Sequence, residues 1–173
     1  MAKRRRVDGQ GPFWGGAVGR NPTDRGKNGV KRSLIVDEQG GPLGIVIDGA
    51  NINDHKLLEE TIEAIVVERP QPTKKNPQHL CLDKGYDNAP SEEVVAKHKY
   101  TPHIERMREL KKPCPNTPGN KPRRWVVERT FGWLSKCRAI LVRYDKHDFN
   151  YLGLLQLACS LLWYRRKCRL QAA

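Results

Sequence analysis

Two aliphatic, β-branched runs flank a polar, glycine-rich break: SLIVD before it and GPLGIVID after it, with Asp37, Glu38, Gln39, Gly40, Gly41 and Pro42 between. Apolar runs bounded by turn residues predict a hairpin. The period then changes. In ANINDHKLLEETIEAIVV, Leu57, Leu58, Ile62, Ile65 and Val66 recur near the helical repeat, and Asn53 or Asp54 can cap the first turn. Glu68 to Gln78 is a proline-rich connection, and HLCLD after it predicts a short buried strand ending on Asp83. Asp87 to Ser91 opens a second helix, SEEVVAKHK, with Glu92 and Glu93 near its positive end. YTPHIE predicts one more strand, followed by MRELKKPCPNTPGNKPRR, a basic loop rich in proline and glycine. Helical patterns run from about Arg123 to Ile140 and from about Asn150 to Lys167, and no internal repeat is present. This order of elements predicts an α/β sandwich around a mixed sheet.

Composition narrows the partners. The chain has 173 residues, enough for one domain with a sizeable core, of which 38% are apolar and 29% charged. A formal net charge of +13 and a pI near 9.8 favour a polyanion, since each neutralised phosphate releases counterions. Nucleic acid leads that class. An unrelated RNA-binding protein would rest on charge alone, because no aromatic RNA-binding signature is visible. Five cysteines, an odd number with no CxxC pair, read as reduced thiols that pack as small core hydrophobes. His55, His79, His98, His103 and His147 do not give a zinc spacing with them. The N-terminus lacks the apolar core of a secretory signal. The longest apolar stretch, Tyr151 to Tyr164, is too short to span a bilayer, so it reads as a buried helix and no membrane partner is expected.

Two acidic residues carry candidate chemistry. Asp83 stands at the exit of the predicted strand, where a rigid element can aim a carboxylate into a crevice. The plainer reading is an aspartate that starts a turn at Lys84-Gly85. Glu128 lies in RRWVVERTFGWLSK, with Arg124 four residues before it and Gly132 four after, all on one helical face. Here the plainer reading is an ordinary salt bridge on a solvated helix.

Taken together, LDKGYD resembles the D-x-G-Y element of DDE transposases from bacterial insertion sequences, and RWVVERTFGWL resembles the arginine–glutamate half of their Y-R-E-K signature. GRNPTDRGKNGVKRSLIVDEQGGPLGIVIDGANINDHKLLE resembles the segment that precedes D-x-G-Y in that group, so the resemblance covers roughly Gly19 to Arg166. It implies an RNase H-like mixed sheet flanked by helices, with the first strand missing or degenerate in this chain, because MAKRRRV is a poor buried strand. It divides the chain into a basic, glycine-rich arm (1–18), a catalytic domain (19–167) and a tail (168–173). The short interval between Asp83 and Glu128 leaves no room for a large insertion domain.

By the same resemblance, Asp83 and Glu128 are catalytic metal ligands for a pair of Mg²⁺ (or Mn²⁺) ions that serve DNA cleavage and strand transfer. Asp8 is the best candidate for the first acid of the set; Asp37 and Asp48 are more simply structural. Arg124, Lys136, Lys27, Lys31 and Arg32 are candidate DNA contacts. Lys121 and Ser135 stand where the signature has its tyrosine and lysine, with Lys136 one step later. Trp125, Phe131 and Trp133 are expected in the core. The implied partners are the terminal inverted repeats of a mobile element and further copies of the chain, in a bacterial cytoplasm, close to the nucleoid. The chain reads as a C-terminal, catalytic portion. The alternative is a non-catalytic DNA-binding remnant or regulator of the same descent.

Overall fold

The computed structural model describes residues 2–3, 9–10, 15–104 and 124–172, with side chains over 15–104 and 125–172. Its strands are β1 (Ala2–Lys3), β2 (Gly9–Gln10), β3 (Gly19–Arg20), β4 (Asn28–Val36), β5 (Pro42–Gly49), β6 (His79–Leu82) and β7 (Thr101–Ile104). Its helices are α1 (Leu58–Glu63), α2 (Ala89–Lys97), α3 (Arg124–Leu134), α4 (Arg138–Leu141) and α5 (Asp148–Gln171).

The predicted hairpin is β4–β5, antiparallel from Val30↔Gly49 to Val36↔Pro42. Its turn follows from DEQGG. The Asp37 carboxylate accepts from the backbone N–H groups of Gln39 at 2.8 Å and Gly41 at 2.7 Å. Gly40 takes a φ of +89°, and a Cβ there would lie 2.9 Å from Thr130 Oγ1, so both conformation and space call for glycine. The Arg166 guanidinium closes on Asp37 at 2.8 Å, which confirms a structural use of that aspartate.

Alternation along β4 sorts its side chains between two cores. Val30, Leu34 and Val36 join Val126, Val127, Phe131 and Leu134 of α3 and Tyr151 and Leu155 of α5. Ile35 faces the other way, toward Leu58, Ile62, Leu80, Leu82, Tyr86 and Val95. The sheet is therefore the middle layer, with α1 and α2 on one side and α3 and α5 on the other.

The N-terminal residues take a place in this sheet. Ala2 and Lys3 pair antiparallel with Val36 and Ile35 of β4, and Ala2 pairs parallel with Cys81 of β6. Gly9 and Gln10 continue along β4 opposite Val30 and Gly29. With β6 and β7 parallel, the sheet runs β5–β4–β1–β6–β7, and β2 and β3 also pair with β4. Where the first strand was expected to be missing or degenerate, the two-residue stretches β1 and β2 pair into the sheet. Ladder pairing is made by backbone groups, so the poor apolar pattern of MAKRRRV does not prevent it.

Other boundaries shift. The helix expected from Arg123 to Ile140 is broken after Leu134, where the Ser135 hydroxyl bonds back to Phe131 O at 2.8 Å, and a turn leads into α4. Val66 lies beyond α1 and is exposed. The C-terminal apolar stretch is buried on one stripe only: Tyr151, Leu155, Ala158 and Cys159 face the sheet, while Leu157, Leu161 and Tyr164 are exposed. Of the expected loop 107–124, residues 107–123 lie outside the described residues and Arg124 opens α3. No helix among those described is long and apolar enough to cross a membrane.

Candidate active site

β6 delivers Asp83 as expected. The residue caps a short 3-10 turn, Lys84–Tyr86, and its carboxylate accepts from Lys84 N–H at 2.9 Å. The turn-starting role is therefore real, and it leaves the half-buried carboxylate fixed at the strand exit. Tyr86, the last residue of the turn, is buried in the core under α1 and α2. Burial raises the pKa of its phenol, and the negative charges of Asp54 and Asp83 raise it further, so Tyr86 remains a neutral O–H beside those acids.

Asp54 is itself held by Lys31, at 3.2 Å, and the Lys31 ammonium also donates to Ile52 O. Lys31 is 2% exposed. Arg32 on the opposite face of β4 is equally buried and donates to Ile140 O at 3.3 Å. Both were candidate phosphate contacts, with ordinary solvation as the plainer reading, and either role needs an exposed side chain. The structure corrects this: each is buried on a sheet face and bonded to protein oxygens, where the cost of desolvating a charge is met by those partners. Lys27 is exposed and lies 3.9 Å from Asp24, and Lys136 is exposed just past α3.

Glu128 projects from the solvent side of α3, and a Cβ on Gly132, one turn later, would meet nothing within 4 Å. α3 packs across β1 and β4, and β6 is the other neighbour of β1. The elements that bear Glu128 and Asp83 thus flank the N-terminal strand. Asp8 lies outside the described residues, as does the side chain of Arg124. Asp48 binds its neighbour's N–H, Gly49, at 2.7 Å.

Two features of this region escaped the sequence reading. Trp125 is 56% exposed, not core; Trp125 and Trp133 stack on either side of the Arg129 guanidinium, at 4.6 and 4.7 Å. The four-residue spacing of these three on a helix was the available signal. The second is a group of three potential metal ligands, Glu59, Glu63 and His98, whose ligand atoms lie within 4.8 Å of one another. Lys97 already hydrogen-bonds Glu59 and lowers its pKa. That group lies between α1 and α2 and contains none of the acids expected from sequence.

Residues 4–163 match the family model for the transposase DDE domain. The chain belongs to the DDE transposases of insertion sequences. Among curated proteins it is similar to a Burkholderia cepacia protein named "Putative transposase for insertion sequence element IS402", at 31% identity over 166 residues, which cover 94% of this chain and 76% of that one. No solved structure matches the chain.

Proposed function

We propose that the chain is the catalytic domain of its transposase family, with an RNase H-like fold that cuts and joins DNA at the ends of a mobile element. The observation that carries this reading is the sheet order. An N-terminal strand lies antiparallel to β4 on one side and parallel to β6 on the other; β6 leads directly into Asp83, and the helix bearing Glu128 packs on the same strand. That order supports a reading in which Asp83 and Glu128 serve one site, and Asp8, which precedes β2 in sequence, is the third acid proposed for it.

The donor chemistry suits a divalent metal pair. Asp83 and Glu128 offer hard carboxylate oxygens of the kind Mg²⁺ or Mn²⁺ takes, and the backbone N–H of Lys84 fixes the orientation of the Asp83 carboxylate. When bound, the ions would lower the pKa of the attacking hydroxyl and stabilise the leaving oxygen. The chain's part is to hold these acids on rigid elements. Asp83 is fixed by strand and turn, Tyr86 keeps a neutral hydroxyl next to it, and Lys31 balances the adjacent Asp54. DNA is the substrate, drawn by the net charge of +13, and paired ends would be held by more than one copy of the chain. The domain limits proposed are 19–167 for the folded centre, with 1–18 supplying its first strand; the site of action is the bacterial nucleoid.

The test is nicking of duplex carrying the element's terminal repeats, with Mg²⁺ or Mn²⁺. Wild type nicks it, and Asp83→Asn and Glu128→Gln do not. Glu128→Gln leaves the unfolding free energy from urea titration within about 0.5 kcal/mol of wild type, as an exposed substitution should. Equal nicking by all three proteins refutes the assignment. Metal-independent DNA binding with no nicking by any of them identifies the non-catalytic alternative instead.

A further inference from the structure

A cleft of about 450 Å³ opens between the β4–β5 turn, the end of α3 and the last turns of α5. Arg129 and Lys136 reach it from one side and Arg165, Arg166 and Arg169 from the other, and among the described residues no carboxylate lines it. Trp133 and Trp163 form part of its wall. Trp163 is fixed by an N–H donated to Pro42 O at 2.6 Å, and the Arg166 guanidinium lies 4.9 Å from its ring.

Like charge is costly to gather unless something uses it. Arg166 is balanced by Asp37 at 2.8 Å, and Arg129 donates to Gln39 O at 2.5 Å. Arg129 is only partly satisfied, for its Nε is buried with no partner. Its guanidinium lies against the Trp125 and Trp133 rings and is bonded to Gln39 O, which places it at the wall of the cleft. Stacked arginines and an aromatic wall together match the phosphates and base faces of a nucleic acid. Arg129 follows Glu128 in sequence, about 100° further round the helix, so the cleft adjoins the face that bears Glu128.

We infer that this cleft is a second DNA-contact site, which grips the phosphate backbone of a strand running past α3. The inference rests on the proposed function, since that reading supplies DNA as the ligand. It adds a surface that neither Asp83 nor Glu128 forms, and one that works without metal.

The experiment measures anisotropy of a labelled duplex in EDTA over a series of salt concentrations. The proteins are wild type, Glu128→Gln, Arg165→Gln/Arg169→Gln and Lys136→Gln. The substituted cleft residues are exposed, so the variants should fold, and urea midpoints check that they do. Glu128→Gln, which removes a negative charge, should bind no more weakly than wild type. Arg165→Gln/Arg169→Gln should bind at least about 5-fold more weakly, with the slope of log K against log salt reduced by about 0.9 for each phosphate no longer neutralised. Lys136→Gln should weaken binding by a smaller factor in the same sense. Cleft variants that keep wild-type affinity and slope overturn the inference, and so does a wild type that binds no duplex. If the cleft variants bind normally while Glu128→Gln alone abolishes nicking, the cleft fails and the catalytic reading stands. If they bind poorly while wild type never nicks, the cleft stands and the catalytic reading fails.

Discussion

Replacing Arg143 should cost this protein much of its stability. Arg143 is 2% exposed and is the largest fully buried side chain among the described residues. Among the described residues its guanidinium donates to backbone carbonyls: Asp145 O at 2.8 Å, Gly16 O at 2.7 Å, Lys146 O at 2.9 Å and, more weakly, Ala17 O at 3.4 Å. These bonds tie the segment entering β3 to the loop between α4 and α5. A hydrogen bond to a charged group contributes about 1.5–3 kcal/mol, and a carbonyl left without a donor adds a penalty. The three short bonds are also coupled, since one group makes them all. We therefore expect Arg143→Ala to destabilise the fold by about 4–6 kcal/mol, against a total of about 5–15 kcal/mol for a domain. Arg143→Lys should cost about half as much, because an ammonium keeps the charge but cannot span carbonyls that a planar fork reaches. Urea unfolding followed by far-UV circular dichroism gives both values. A change under about 1 kcal/mol for Arg143→Ala would falsify the view that this fork clamps the two segments.

Thr130→Val should cost about 1–2 kcal/mol in the same assay, because it removes the buried hydroxyl that lies 2.8 Å from Gly40 O and 3.0 Å from Val126 O while keeping the shape; no change in midpoint would contradict it. Burial and the charge of His79 hold His103 below the ordinary imidazole value of 6.5. The unfolded chain then binds that proton more readily, so stability is full above about pH 6.5 and falls as pH drops below it. His79→Gln should make that fall shallower in thermal melts at stepped pH. Cys159 is buried, with its thiol pushed up to about 12, whereas Cys168 is exposed. A thiol reagent should therefore label Cys168 in the native protein and Cys159 only after denaturation, as peptide mapping can read.

The strand at His79–Leu82, the hairpin around Asp37 and the helix bearing Glu128 were all readable in the chain. They depend on local patterns: alternation, turn residues and helical period act over a few neighbours. The pairing of Ala2–Lys3 was not readable. What places those residues is the gap between β4 and β6, and a gap is a property of the assembled sheet. Lys31 and Arg32 were misread for a related reason. As letters they are surface cations, and only the fold supplies Asp54, Ile52 O and Ile140 O to hold them inside. Trp125 was misread in the opposite sense, since an aromatic on a helix is buried only if its stripe faces the sheet, and the stripe of Trp125 faces Arg129 and solvent.

The sequence by itself determined the family, the two acid-bearing motifs and the local elements that present them. The tertiary structure alone decided which cations are structural and which face outward, and it brought the β4–β5 turn, α3 and the end of α5 around one basic cleft. Local propensity is settled between near neighbours. Burial of a charge and convergence of distant arginines depend on which surfaces meet when the layers pack, and no short stretch of sequence carries that information.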